Sequence, residues 1–173
     1  MVRNLLAITR IDAGALELRR DWIDLREIVQ RVANAAKRRG AAQAIDVNLP
    51  SDLPLVRADA TLVEQAIGNV VGNAIAHTPA QTRIAVGATA APDRVTLSIS
   101  DDGPGIPPEA LPAIFDKFVK AERPGTADGG QGTGLGLAIA KGIMEAHGGT
   151  IGAESPAGQG ARFTLVFPRG EAS

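Results

Sequence analysis

The sequence predicts an α+β fold: a two-layer sandwich in which helices cover one face of a mixed, mostly antiparallel sheet. Three observations carry that prediction. Apolar residues recur at helical spacing over 25–36, 59–78 and 135–146. Ile84, Val86, Ala88 and then Val95, Leu97, Ile99 alternate with period two, as strands do. The elements fall in the order helices, strand, helix, two strands, helix, loop, helix, two strands, which suggests one mixed sheet.

Each element has a local cause. Over 2–18, Leu5, Ile8, Ile11, Ala15 and Leu18 keep helical spacing, with Gly14 a weak point. Asp24 opens D-L-R-E, where Asp24 can cap a helix and Glu27 can reach back. Leu25, Ile28, Val29, Val32 and Ala36 then line one face, and Gly40 is the natural stop. Ile45, Val47 and Leu49 alternate as a strand that Pro50 ends. A second capped helix starts at Asp59 and runs to Thr78, because Pro79 forbids continuation. The alternating stretches at 84–88 and 95–99 read as paired strands across A-A-P-D. A short helix is expected from Leu111 to Phe118. Residues 119–133 have little apolar content and several glycines, so they read as a mobile loop. A helix from Leu135 to Ala146 follows, then a hairpin of 150–154 and 161–167 across S-P-A-G-Q-G.

At 173 residues and 17.8 kDa the chain fits one domain with a real core. Lys and Arg total 18 against 19 Asp and Glu, a net charge of −1, so no overall field argues for nucleic acid or an anionic membrane. The basic triplet Lys37-Arg38-Arg39 reads as a solvated helix end. There is no cysteine, which excludes a disulfide framework, thiol catalysis and cysteine-bound zinc. No apolar run is long enough to span a bilayer and no secretory pattern opens the chain, so it is expected to be soluble. The 20 glycines are clustered rather than repeated, and the clusters read as turns with a job.

Chemistry concentrates in three places. On the helix from Asp59, Asn69, Asn73 and His77 recur every four residues and share one stripe. Asparagine is a poor helix former because its amide competes for backbone hydrogen bonds, so two on one stripe call for a reason. They are either a buried polar pair tying helix to sheet or an oxygen ligand for Mg²⁺ beside a phosphate; spacing alone does not choose. Next, the strand over 95–100 runs into D-D-G-P-G-I, Asp101 to Ile106. A carboxylate at a strand end can accept a hydrogen bond from an amino group, and Gly103 and Gly105 leave room for a flat ring. A plain turn is the alternative. Third, G-T-G-L-G-L, Gly132 to Leu137, sits where the loop meets an apolar helix. Glycines there expose N–H groups at a helix N-terminus, a ready anion site. The spacing is neither that of a P-loop nor that of the dinucleotide fingerprint.

Taken together and in order, N-V-V-G-N-A, D-D-G-P-G-I, I-F-D-K-F and G-T-G-L-G-L resemble the ATPase domain shared by histidine kinases, gyrase, MutL and related chaperones. H-G-G-T-I and G-Q-G-A-R-F-T-L-V-F-P match that family's closing hairpin. The resemblance implies ATP and Mg²⁺ as ligands, with Asn73 binding Mg²⁺ and Asp101 contacting the adenine amino group. Gly132, Gly134 and Gly136 would shape the phosphate pocket, with Thr133, Leu135 and Leu137 beside them. Asn69, Gly103, Gly105, Ile106 and Thr164 would complete the nucleotide site, and His77 would stack on adenine. Phe115 and Phe118 would anchor a lid.

Within this family, the hydrolysing members and the serine kinases resemble one another in carrying a glutamate one helical turn before the magnesium asparagine, as general base. Asn69 stands there instead and cannot accept a proton at neutral pH, while Glu64 points elsewhere on the helix. The resemblance therefore implies a histidine-kinase catalytic domain that holds ATP, hydrolyses it poorly and donates its γ-phosphoryl group to a histidine. No residue of the chain is assigned as catalytic acid or base. The phospho-acceptor histidine is missing, since neither His77 nor His147 lies in an H-D-L-R-T-P-L-like box, so the chain is not expected to autophosphorylate alone. His147 is expected at a helix C-terminus, where positive charge is favourable. Ala76 stands where relatives often carry Lys or Arg, which lowers the expected nucleotide affinity; Lys120 and Arg123 are the candidates to compensate.

L-L-A-I-T-R-I-D-A-G-A-L-E-L-R-R-D-W-I-D-L resembles the end of a dimerisation helix and its linker. The expected organisation is 1–22 helix end and linker, 23–169 catalytic domain and 170–173 tail. Trp22 in R-D-W-I-D-L, with I-D-V-N-L-P-S-D-L-P-L and I-F-D-K-F, is similar to the potassium-responsive branch of these sensor kinases. That implies a membrane-anchored parent with this domain on the cytoplasmic side of the inner membrane. It also implies two partners: the parent's own dimerisation domain and a response regulator. The fragment is expected to be a monomer. The alternative is a degenerate, non-catalytic module that binds nucleotide or docks a regulator; a serine kinase is disfavoured by Asn69.

Overall fold

A computed structural model describes residues 2–119 and 134–170. The first helix, α1 (Val2–Asp12), stops short of Leu18. The Ala15 amide closes onto the Arg10 carbonyl and Gly14 takes φ 63°, a left-handed ending that glycine adopts without a Cβ penalty. The chain then runs through β1 (Asp21–Ile23) into α2 (Leu25–Arg38).

Asp24 caps α2 as its sequence position implies, accepting from the Arg26 amide at 2.9 Å. The Arg26 guanidinium folds back onto the same carboxylate at 2.8 Å. That side-chain hydrogen bond holds the Asp24 carboxyl below the usual aspartate range, more than offsetting the effect of burial. Arg39 caps the other end and Gly40 follows at φ 86°. The triplet Lys37-Arg38-Arg39 is exposed.

β2 (Ala44–Asn48) and β3 (Val56–Ala58) lead to α3 (Ala60–Ala76), where Asp59 accepts from the Leu62 amide at 3.1 Å. α3 buries Val63, Ala66, Ile67, Val70, Val71 and Ala74. Each larger member of that stripe contributes roughly 1.5–3 kcal/mol by leaving water. β4 (Arg83–Ala90) and β5 (Arg94–Asp101) form the central hairpin. A single 3-10 turn, Leu111–Ala113, stands where a helix to Phe118 was expected. Pro112 lies inside that turn and has no amide hydrogen to extend a helical ladder. α4 (Gly136–Ala146), β6 (Thr150–Glu154) and β7 (Ala161–Pro168) complete the order.

The main sheet runs β2-β4-β5-β7-β6, with β2 and β4 parallel and every other pair antiparallel. Burial alternates along the strands: Val95, Leu97, Ile99 and Asp101 on β5, with Ala161, Phe163, Leu165 and Phe167 on β7, all turn inward. The helices cover that face, so the mixed two-layer sandwich is confirmed. The short pair β1–β3, antiparallel with Trp22 opposite Arg57, was not foreseen. Three-residue strands with one or two buried side chains carry too little alternation to be read.

His147 links two helices. Its Nε2 accepts from the Asp59 amide at 3.0 Å and its Nδ1 lies 2.7 Å from the Ile143 carbonyl. A ring nitrogen facing a backbone N–H must be the acceptor, so the proton sits on Nδ1 and the ring is neutral. The histidine does stand at the C-terminus of α4, but as a buried connector to the cap of α3 rather than as a cation. α1 packs on α4 through the smallest possible side chain. A Cβ on Gly142 would lie 2.6 Å from Ile11 Cγ2. Lys117 adds an ion pair with Asp12 at 2.5 Å.

Candidate functional site

The loop after β5 is shaped by its own aspartates. Asp101 is 5% exposed and its Oδ1 accepts from the Gly103 amide at 3.0 Å. Asp102 faces the other way, accepting from the Arg83 amide at 2.7 Å and so locking the loop to β4. Gly105 needs φ 81° and Ile106 is buried as the loop's apolar floor. Gly103 has a steric reason too: a Cβ there would lie 2.8 Å from Thr78 Cγ2 and 3.0 Å from Asp101 Oδ1.

Asn69, Asn73 and His77 are half-buried on one side of α3, as their spacing requires. Asn69 Nδ2 donates to the Gly136 carbonyl at 3.1 Å, which fastens the stripe to the start of α4. Glu64 lies off this stripe and reaches Arg31 of α2 at 3.3 Å. The C-terminus of α3 is met by a buried residue from the segment before β2 that sequence reasoning missed. Gln43 Nε2 donates to the Ile75 carbonyl at 2.9 Å, to the Thr78 carbonyl at 3.1 Å and to Thr78 Oγ1 at 3.3 Å. Carbonyls of the helix end, otherwise left over at a terminus, are thereby satisfied beside His77.

The start of α4 is unlike those of α2 and α3. Its N-cap, Leu135, makes no side-chain cap hydrogen bond, whereas Asp24 and Asp59 cap the other two. Among the described residues no side chain caps the first-turn amides of α4, and the helix dipole favours an anion there. Leu135 is buried, Leu137 is half-buried, and Gly134 takes φ 73° with its carbonyl accepting from the Phe118 amide at 2.9 Å. Lys120, Arg123, Gly132 and Thr133 lie outside the described residues.

One sequence expectation needs correction. Thr164 is not brought to the site: along β7 it falls between buried Phe163 and Leu165, so the pleat turns it to the sheet face opposite Asp101. The β7 residue paired with Asp101 is Ala161. The two phenylalanines also divide. Phe115 meets Phe163 edge-on at 6.3 Å and packs against the core, while Phe118 is 65% exposed at φ 64° with its amide bonded to the Gly134 carbonyl; the lid both were expected to anchor lies outside the described residues. A cleft of about 810 Å³ lies between α2 and α3; of the candidate residues it touches only Asn69.

A half-buried asparagine stripe, a carboxylate at a strand end beside a glycine turn, and a glycine-led helix stand on one two-layer sandwich. The chain belongs to the histidine kinase-, DNA gyrase B- and HSP90-like ATPase family, whose model matches residues 58–171, and it is of the sensor histidine-kinase kind. It is similar to the sensor protein KdpD of Escherichia coli K12, 34% identical over 98% of this chain. It spans 18% of that relative's length. Among solved structures it resembles full-length ShkA in complex with AMPPNP, with a TM-score of 0.83 and 32% identity over 99% of this chain and 36% of the other. Histidine kinase ThkA in complex with response regulator TrrA matches with a TM-score of 0.75 and 25% identity, over 98% of this chain and 48% of the other. No described helix is long and apolar enough to cross a membrane.

Proposed function

We propose that this domain holds Mg·ATP and donates the γ-phosphoryl group to a histidine on a dimerisation domain outside this chain. The carrying observation is the bond from Asn69 to the Gly136 carbonyl, which places the asparagine stripe against the glycine-led start of α4. The α4 amides, with Gly134 and Gly136, would receive the phosphates. Asp101 would accept from the adenine amino group, over a floor of Ile106 and beside the close turn at Gly103 and Gly105. His77 would stack on the base. Lys120, Gly132 and Thr133 would act from the segment between Val119 and Gly134.

The donor set fits magnesium. A cation that takes one amide oxygen and fills its shell with phosphate and water suits such a site, with Asn73 the protein ligand. Magnesium would supply charge neutralisation on the phosphates. Asn69 has no proton-accepting group and gives its amide hydrogen to α4, so water is not activated from that position.

Similarity to KdpD and to a kinase in complex with its regulator supports a membrane-anchored parent with this domain on the cytoplasmic side, a potassium or osmotic input and a KdpE-type response regulator. Titration with a non-hydrolysable ATP analogue, with and without Mg²⁺, tests the pocket. Asp101→Asn should weaken binding on the order of tenfold or more, as expected for a charged hydrogen bond of about 1.5–3 kcal/mol. Silence of the wild-type chain at millimolar nucleotide overturns the reading. Exposed Ala76, which offers the phosphates no charge, favours a second reading: a degenerate docking module. Supplying the parent's dimerisation domain in trans separates the two, because labelled phosphate on its histidine requires the kinase, whereas regulator binding without transfer requires the module.

A further inference from the structure

The turn between β6 and β7 reaches across to the loop that carries Asp101. Ser155 Oγ accepts from the Ile106 amide at 2.7 Å and donates to the Gly160 carbonyl at 2.6 Å. One hydroxyl therefore ties its own turn to a loop 49 residues earlier in the chain, using its donor and an acceptor lone pair. The fit around it is close. A Cβ on Gly105 would lie 2.7 Å from Ser155 Oγ, and a Cβ on Gly160 would lie 1.9 Å from the Asp101 carbonyl oxygen. Both glycines also hold positive φ, 81° and 72°. The loop end is thus gripped at Asp101, Gly105 and Ile106 by a single hairpin turn.

We propose that Ser155 is a positioning residue for base recognition, holding the Asp101–Ile106 loop at the distance an adenine ring requires. This rests on the nucleotide reading above. Asp101 fixes which edge of the base is read, and Ile106 fixes the depth to which the ring enters. Without the hydroxyl the Ile106 amide and Gly160 carbonyl lose a shared partner and the loop relaxes away from the hairpin. Discrimination between an amino and a carbonyl group at the base edge then falls, because a donor–acceptor match depends steeply on distance.

The test compares ATP-analogue and GTP-analogue binding to wild type, Ser155→Ala and Ser155→Thr, with thermal unfolding of each. In Ser155→Ala the ATP-to-GTP affinity ratio is expected to fall on the order of tenfold, with the Mg²⁺ dependence unchanged and Ser155→Thr recovering most of the ratio. A purely structural serine would lower the unfolding temperature and leave the ratio intact, and that result overturns the proposal. Amide exchange on the wild type is independent of any variant: protection at Ile106 supports the grip, and exchange at the rate of an open loop overturns it. If wild type binds ATP yet the ratio is unmoved, Ser155 fails alone; if wild type binds no nucleotide, both readings fail.

Discussion

Gln43 shows how one amide can govern a helix end. It is 8% exposed, and it serves acceptors 32 and 35 residues away where α3 gives way to the Thr78 turn. Gln43→Ala should destabilise the domain by about 1–3 kcal/mol, the cost of leaving buried carbonyls without partners, read from chemical denaturation. An unchanged midpoint would mean that water replaces the amide. No sequence signal marks this residue, because A-A-Q-A has neither period nor motif and its partners come from another segment. Asp24 and Asp59 were legible for the opposite reason: a cap and its helix are neighbours in sequence. Thr164 marks the limit of motif matching, since a shift of one position along a strand moves a side chain to the other face.

At the scale of elements, α2 depends on an ionised cap. Asp24 titrates below the usual aspartate range because Arg26 bonds its carboxylate. A carboxyl whose folded pKa is depressed contributes stability above its unfolded pKa and loses it as pH falls through the folded value. Asp24→Ala should therefore cost about 1 kcal/mol near pH 7, and the gap between variant and wild type should close as pH drops below the aspartate range. A gap that stays constant into strong acid would show that the carboxylate charge contributes nothing. Long, strongly patterned elements were readable: α2, α3, α4 and the three eight-residue strands β4, β5 and β7 follow their apolar periods. The elements that escaped were β1 and β3, too short to show a period, and the stretch after Pro107, where the expected helix shrinks to one 3-10 turn around Pro112.

For the whole molecule, α1 is tied to the core through α4. Ile8 is buried with the main core, and Ile11 fills the space a side chain on Gly142 would need. Gly142→Leu should lift α1 from α4 and raise exchange of α1 amides by more than about tenfold, while β5 and β7 keep their protection. Loss of protection in helix and sheet together would show that α1 cannot be separated from the core. The fold class could be read from the sequence because it depends on periods summed over many residues. The site was legible only in part. Its glycines and asparagines form motifs, but the bonds that join them, Asn69 to Gly136 and Ser155 to Ile106, exist only once distant segments meet.

His147 has one more consequence, for the transfer experiment itself. Phosphohistidine forms when a ring nitrogen with an available lone pair attacks phosphorus. In His147 one nitrogen is already the acceptor of the Asp59 amide and the other holds its proton against the Ile143 carbonyl, inside a residue 6% exposed. In the folded domain this imidazole has no nucleophile to offer. Acid-labile label recovered in trans therefore does not come from this imidazole, and separating the two chains before counting assigns it to the partner domain.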